Sequence, residues 1–408
     1  MGDQYQFGSR EYCLDPYPFF EETQSGSGVY KLPGRNDYLL TRYEDVVGAA
    51  KCPQVFSNYM PASDGINVDG KHFPYIRTVP KYDAPEHGPI RALAMQAFTP
   101  SRIASYETLI RDHIERLITG FESAGVVEFV ADFALPLPMI IISQLLGFPL
   151  DGIKKYKQWT GALAFLQSGY DDLDAKEHLD ELGHTYGEAF TFLSDQISDR
   201  RENPSEDALS LIVNPPSDSD LPRLNQVELV GVAASLLTAG NETTTLMLEN
   251  LMYRLATNVQ ERVRLIADRS GVRNLVEECL RMDSPLQFLP RTCTVDHRVA
   301  GVTIPAGAKV LLMWGAANRD SQKFEAPSEF NPLRGSLNRQ VAFGHGAHFC
   351  LGAPLARLEG RLTVEAVLTR LWNPRLDGPD AARRAVSAVG CGFKELHLKF
   401  DPSQPAAV

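Results

Sequence analysis

The order of apolar and polar positions divides this chain into a mostly helical body with sheet at two places. From Arg102 to Leu280 apolar residues recur at helical spacing, broken at Pro136, Pro138, Pro149, Pro215, Pro216 and Pro222. Near the N-terminus, from Gly28 to Lys51, β-like stretches such as Tyr38-Leu39-Leu40-Thr41 alternate with a helical run. Strand patterns return after Arg281: Val299 to Pro305 followed by Ala306-Gly307 reads as a hairpin, and Lys309 to Met313 as its next strand. The longest proline-free run, Val227 to about Ala256, is mostly apolar. Asn225 can cap it, with Glu228 at the capping-box distance. At about 1.5 Å per residue such a helix spans roughly 45 Å, enough to cross a whole domain. The pattern therefore predicts a mainly α fold with smaller β-sheet regions. Sheet is expected near 28–80 and 290–315, and helix over 85–280 and 350–372, within one large domain covering 1–408. No internal repeat or low-complexity linker interrupts it.

Chemistry concentrates in Phe343-Gly344-His345-Gly346-Ala347-His348-Phe349-Cys350-Leu351-Gly352. The glycines permit positive φ and close approach of the backbone to a flat cofactor, which a Cβ would obstruct. Cys350 precedes a helical run from Leu351 to about Leu371, with Pro354 early, where its missing N–H costs least. A thiolate at a helix N-terminus is stabilised by free N–H groups and the macrodipole, so it stays deprotonated and can donate to a metal. Phe343 can wall it from water. Zinc is a rival, because His345, His348 and Cys350 cluster, but structural zinc wants a second ligand pair and none is evident. A dinucleotide loop fails because Phe349 stands where the third glycine should be.

The middle of the long helix reads Ala239-Gly240-Asn241-Glu242-Thr243-Thr244, where small residues give way to an acid and hydroxyls. An acid and a threonine in an apolar central helix are costly unless used or hydrated. Bland readings are a solvated Glu242 and a Thr243 that only back-bonds to the carbonyl of residue 239. On a third segment Glu278-Cys279-Leu280-Arg281 places opposite charges at i,i+3, one face of a helix, which by itself suits an ordinary surface pair.

Together these segments resemble the cytochrome P-450 family, the haem-thiolate monooxygenases, in which the cysteine pushes electron density onto iron to favour O–O cleavage. The resemblance implies haem b, buried between the central helix and the cysteine-loop helix of a single domain. Cys350 would be the iron ligand, with Phe343, Gly344, His348 and Gly352 shaping its loop. The stretch Ala239 to Thr244 resembles the segment that passes over the oxygen-binding face of the haem. There Thr243 matches the residue that hydrogen-bonds iron-bound oxygen, and Glu242 the acid that relays protons. Asp83-Ala84-Pro85-Glu86-His87-x-x-x-Arg91 resembles the family's propionate segment. His87 and Arg91, together with Arg291 and His348, match the propionate ligands. Pro327-x-x-Phe330-Asn331-Pro332-Leu333-Arg334 resembles the segment that completes a buried network of Glu278, Arg281 and Arg334 behind the haem. Gln340 departs from the pattern at a position where His is common.

By position in that pattern the substrate pocket takes Ser235, Thr238, Ala239, Leu286, Phe288, Leu289 and Val389 to Cys391, roofed by Phe165 and Leu166. These residues are small or apolar, which suits a neutral terpenoid, steroid or aromatic compound. The segment Pro61 to Lys81, expected as a mobile lid, carries Lys71, His72, Arg77 and Lys81, so a carboxylate-bearing substrate stays open. The implied reaction is hydroxylation with one oxygen atom from O2. Electrons come from a ferredoxin and its reductase, because the chain has no flavin or iron–sulfur motif. Docking is expected near Arg102, Arg111, Arg339, Arg357 and Arg361. A peroxide-driven or non-oxygenating haem-thiolate enzyme, and a non-enzymic haem sensor, are the alternatives.

Composition agrees. Hydrophobic content of 44% supports a large core, and 22% charged residues is ordinary for a soluble protein. The net charge of −11 argues against a nucleic-acid partner. Six scattered cysteines without framework spacing suit a reducing cytoplasm. The polar start Met1-Gly2-Asp3-Gln4-Tyr5-Gln6 has no apolar anchor, so a cytoplasmic, membrane-free monomer of the bacterial type is expected.

Overall fold

A computed structural model describes residues 6–59, 65–168 and 179–401, without the side chains of 164–168 and 179–180. Its contacts divide the chain into two compact units. The first contains Met1–Asn58, Glu107–Leu137 and Thr243–Val408, and the second Tyr59–Tyr106 and Pro138–Glu242. Mainly helical structure with small sheets is found, as the apolar pattern predicts.

In the first unit a five-stranded sheet has the order Val29–Lys31, Asp37–Leu40, Lys309–Leu312, Leu289–Cys293, Phe56–Ser57. Strand Lys309–Leu312 lies parallel to Asp37–Leu40 and antiparallel to Leu289–Cys293. Leu39, Leu40, Val310, Leu311 and Leu312 are all buried, so these strands read as continuous apolar runs rather than alternating ones. A hairpin forms from His297–Val299 and Val302–Ile304, turning at Ala300 and Gly301 (both with positive φ) rather than at Ala306-Gly307, and the strand expected next, Lys309–Leu312, pairs with Asp37–Leu40 and Leu289–Cys293 instead. A second sheet joins Val126–Glu128, Trp372–Leu376 and Ala382–Arg384 to the long strand Phe393–Asp401.

The central helix runs Gln226–Thr257, and the division between units falls on it at Glu242/Thr243. Its start is the expected capping box: the Glu228 N–H donates to Asn225 Oδ1 at 3.0 Å, and the Asn225 N–H to Glu228 Oε2 at 2.8 Å. Such a cap contributes about 1 kcal/mol. No helix among the described residues is long and apolar enough to cross a membrane.

In the second unit the segment expected as a mobile lid is structured where it is described. Ile66–Val68 and Lys71–Phe73 form an antiparallel hairpin, with Asp69 (φ 49°) and Gly70 (φ 76°) supplying the two positive-φ positions of a tight turn. The hairpin packs on helix Leu179–Glu202, where Gly183 meets Val68 and Ile66, and Gly187 faces Phe73. A Cβ at Gly187 would fall 2.8 Å from the Phe73 ring, so glycine is what lets the two elements touch. Phe73 also meets Phe190 edge-on. The Tyr186 hydroxyl donates to the Pro74 carbonyl at 2.7 Å and accepts the Ile76 N–H at 3.0 Å. Part of the expected lid, residues 61–64, lies outside the described residues, as do the side chains of Phe165 and Leu166.

Candidate active site

Cys350 stands just before the helix Ala353–Arg370, whose first turn carries Pro354 and whose N-cap is Gly352. The loop ahead of it is pinned by its own backbone. The Cys350 N–H donates to the Phe343 carbonyl at 2.9 Å, the Phe349 N–H to Gly346 at 3.1 Å, and the Gly344 N–H to Val341 at 2.9 Å. Gly344 and Gly346 both sit at φ 73°, the left-handed region a side chain disfavours. At Gly346 a Cβ would also lie 2.7 Å from the Ala50 carbonyl oxygen, so the loop lies directly on the end of helix Tyr43–Ala50. Cys350 is exposed, unlike a cysteine that serves as core.

Charged groups brace this loop. Arg357 pairs with Glu277 at 2.6 Å and lays its guanidinium 4.5 Å from the Phe343 ring centre. Gln340 gives its Nε2 to the same carboxylate at 3.0 Å and accepts the Ala342 N–H at 2.7 Å. One acid thus ties the start of the loop to the helix after it, and the departure from His at position 340 still finds a partner.

Behind lies the network expected of Glu278, Arg281 and Arg334. Glu278 and Arg281 are 0% exposed and joined by two bonds of 2.7 and 2.8 Å, the fork that a guanidinium makes with a carboxylate. Arg334 adds its Nε at 3.4 Å. Arg281 also donates to the carbonyls of Asn318 (2.8 Å), Pro327 (2.9 Å) and Glu329 (3.2 Å). Asn318 in turn accepts the Val341 N–H at 2.7 Å, so the buried ions reach the cysteine loop through one residue. Arg291, expected at a propionate, is buried on strand Leu289–Cys293, and His348 is half-buried in the loop.

The second unit carries the other residues. His87 is buried at the start of helix His87–Ala94, with Arg91 one turn on. Burial first, then the nearby Arg91 charge, lowers the His87 pKa, which favours neutral imidazole. On the central helix a Cβ at Gly231 would lie 2.3 Å from the Arg77 carbonyl, and Ser235 Oγ accepts the Val79 N–H at 3.3 Å. Ser235 is therefore a brace for the chain at 77–79 as well as a pocket candidate. Thr238 is half-buried and Ala239 exposed. Glu242 retains accessible surface, yet enough protein surrounds it that desolvation raises its carboxyl pKa. Thr243, the next residue, is half-buried in the first unit.

Among the remaining pocket candidates, Leu286 and Leu289 keep surface, whereas Phe288 is 2% exposed and packs against the Phe7 ring at 5.6 Å. Val389 is half-buried on the C-terminal turn, its carbonyl accepting the Gln287 N–H at 2.7 Å. The arginines expected to gather for docking are largely occupied. Arg111 and Arg361 both pair with Glu107 and Glu365, and Arg102, in the second unit, donates to the Glu206 carbonyl. Among the described residues no group of three or more His, Cys, Asp and Glu side chains could hold a metal ion by itself, so the zinc reading gains no ligand set.

A glycine-shaped loop presenting a thiol at a helix head, tied to a buried ion network, defines the haem-thiolate monooxygenase class, and a soft thiolate donor suits iron porphyrin. The chain belongs to the cytochrome P450 family, whose model matches residues 81–373. It is 34% identical over 362 residues to Cytochrome P450 109 of Bacillus spizizenii, covering 87% of this chain and 84% of that one. It is 33% identical over 368 residues to a vitamin D(3) 25-hydroxylase of Pseudonocardia autotrophica, covering 89% and 88%. The crystal structure of CYP109E1 from Bacillus megaterium in complex with testosterone matches with a TM-score of 0.85 at 28% identity, covering 96% of this chain and all 100% of that one. Members of the family are monooxygenases that bind haem b through a cysteine thiolate.

Proposed function

We propose that this chain acts as a single haem-thiolate domain that hydroxylates a neutral, steroid-sized hydrophobic molecule, with electrons from a ferredoxin and its reductase. Haem supplies oxygen activation when bound. Cys350 is the residue suited to hold its iron, and Arg291, His348, His87 and Arg91 to meet its propionates. The placement of Glu242 next to Thr243 in the middle of the central helix carries the oxygen-activating reading, and the desolvation that raises the Glu242 pKa supports it. A carboxyl that keeps its proton closer to neutral pH can both give and regain one, which is what a relay from solvent requires. Thr243 then has the hydroxyl that holds the final proton in place.

Two observations support a neutral substrate. Leu286, Leu289 and Val389 offer aliphatic surface. Arg77, the most plausible anchor for an acid, already lies 4.9 and 5.0 Å from the Tyr59 and Tyr82 rings and 3.5 Å from Glu86. The names of two relatives, a vitamin D(3) hydroxylase and a testosterone complex, point the same way. A carboxylate-bearing substrate is the second reading, favoured by Arg77 Nε, which is buried without a hydrogen-bond partner.

Titration of the haem protein with testosterone and with hexadecenoic acid separates the two. A low-spin to high-spin change with the steroid alone supports the neutral reading. A change with the acid alone, lost in Arg77→Gln, replaces it. With a reconstituted ferredoxin and reductase, Glu242→Gln should slow turnover roughly 10²–10⁴-fold. Thr243→Ala should go on consuming NAD(P)H while diverting much of it to hydrogen peroxide. Unchanged coupling in both variants would count against oxygen activation and for the peroxide-driven alternative.

A further inference from the structure

Two turns beyond Glu242 the central helix carries a second acid, Glu249, that the proposed reaction does not use. It is 2% exposed, in the first unit, and its Oε2 accepts the Phe393 N–H at 2.7 Å. A Cβ at Gly392 would fall 2.3 Å from that same oxygen, so only glycine lets the chain come so close. The neighbouring Asn250 donates to the Cys391 carbonyl at 2.7 Å. Two consecutive helix residues therefore hold Cys391 and Phe393, with Gly392 packed between them. On its other side this turn is stitched to 285–287: the Cys391 N–H donates to Pro285, the Gln287 N–H to Val389, and Leu286 bridges Gly390. The helix, the 285–287 segment and the turn bearing Val389 share one set of hydrogen bonds.

We propose that Glu249 is a positioning residue that sets the C-terminal turn, and with it the placement of Val389 and Leu286 against the substrate, through a carboxylate clamp on Phe393. The inference rests on the hydrophobic-substrate reading, in which those two side chains touch the ligand. The charged groups facing Glu249 are Arg384 from strand Ala382–Arg384, which favours its ionised form, and Glu128 from strand Val126–Glu128, which opposes it. Desolvation outweighs both and pushes its pKa up to about 7. The clamp thus changes character across the neutral range. Above that pH an anion grips the N–H and is drawn toward Arg384. Below it a neutral carboxyl makes the weaker, uncharged bond.

The experiment is binding of testosterone to the haem-loaded protein, read by the spin-state change at pH 6 and pH 8.5, for the native chain, Glu249→Gln and Glu249→Ala. Gln keeps an acceptor for Phe393 but carries no charge. The native chain should bind about fivefold more weakly at pH 6 than at pH 8.5, the difference between a charged and a neutral hydrogen bond. Glu249→Gln should be flat and match the native chain at pH 6, and Glu249→Ala should bind more weakly still at both. If Glu249→Gln keeps the native pH dependence, or if the native chain shows none, the proposal is overturned. Should Glu249→Ala fail to fold, the Gln variant alone decides. Failure of the underlying reading is distinct: no steroid would then shift the spin state of the native chain at either pH.

Discussion

Around Glu278 the chain buries a complete ion network, whereas the hairpin Ile66–Phe73 is held to helix Leu179–Glu202 by rings, two glycines and one phenol. In the first region two guanidiniums share one buried carboxylate, and three loop carbonyls are collected on Arg281. Removing Glu278 or Arg281 leaves the other charged and dry. The second has contacts that fail one at a time. Interlocked charge suits a platform that must hold a cysteine loop in one geometry.

Removing Arg281 should break the comparison hardest. Arg281→Ala strands Glu278 without its main partner at zero exposure, a loss of about 3–5 kcal/mol. We expect little haem-loaded protein, read as haem-to-protein ratio and thermal unfolding. Arg281→Lys should recover only part, because an ammonium cannot make the fork. If Arg281→Ala retained haem and melted like the native chain, the platform would not depend on the network.

Tyr186→Phe tests the other side. It removes two hydrogen bonds and leaves the Ile76 N–H buried, at a local cost of about 1–3 kcal/mol. Burial raises the Tyr186 pKa far above neutrality, so the lost phenol was a donor at any working pH. Hydrogen exchange should quicken across 66–79 while haem content stays unchanged. Global destabilisation would mean that the hairpin is as interlocked as the platform.

The smallest effect concerns a buried acid without a network. Glu359, on the cysteine-loop helix, is 2% exposed, its Oε2 has no hydrogen-bond partner, and desolvation pushes its pKa up to about 8. An acid raised in the folded state holds a proton that the unfolded chain has lost. Stability is therefore fully present below the ordinary glutamate pKa and declines as pH rises toward 8. Near pH 4, where Glu359 holds its proton in both folded and unfolded chains, Glu359→Gln replaces one neutral group by another and should shift stability by less than about 1 kcal/mol. Above pH 8 the variant should melt higher than the native chain, and equal melting there would contradict the raised pKa.

Much of this was legible in the residues. The capping box, the long helix and the facing of Glu278 and Arg281 follow from local spacing, whereas the burial of that pair and the turn at Ala300-Gly301 do not. The Asp69-Gly70 pair is the strongest short-range hairpin signal, yet treating 61–81 as a lid passes over it. The parallel pairing of Asp37–Leu40 with Lys309–Leu312 has no local signature, because nothing near either strand marks the other. Glu249 and Glu359 were invisible for a related reason. Acids on helices read as solvated positions, and only tertiary packing turns them into buried ones.

The sheet has a consequence for how the protein is made. The Tyr43 N–H is capped by the Asp320 carboxylate, 277 residues later in the chain, beside strands that pair across almost the same interval. At about 5–20 residues per second the ribosome takes roughly 15–55 s to deliver the second half of that contact. Until then Leu39 and Leu40, fully buried in the finished protein, have no strand on one side. The apolar face of the N-terminal strand therefore stays uncovered on one side through most of the chain's synthesis, and slowing translation after residue 60 would lengthen that exposure.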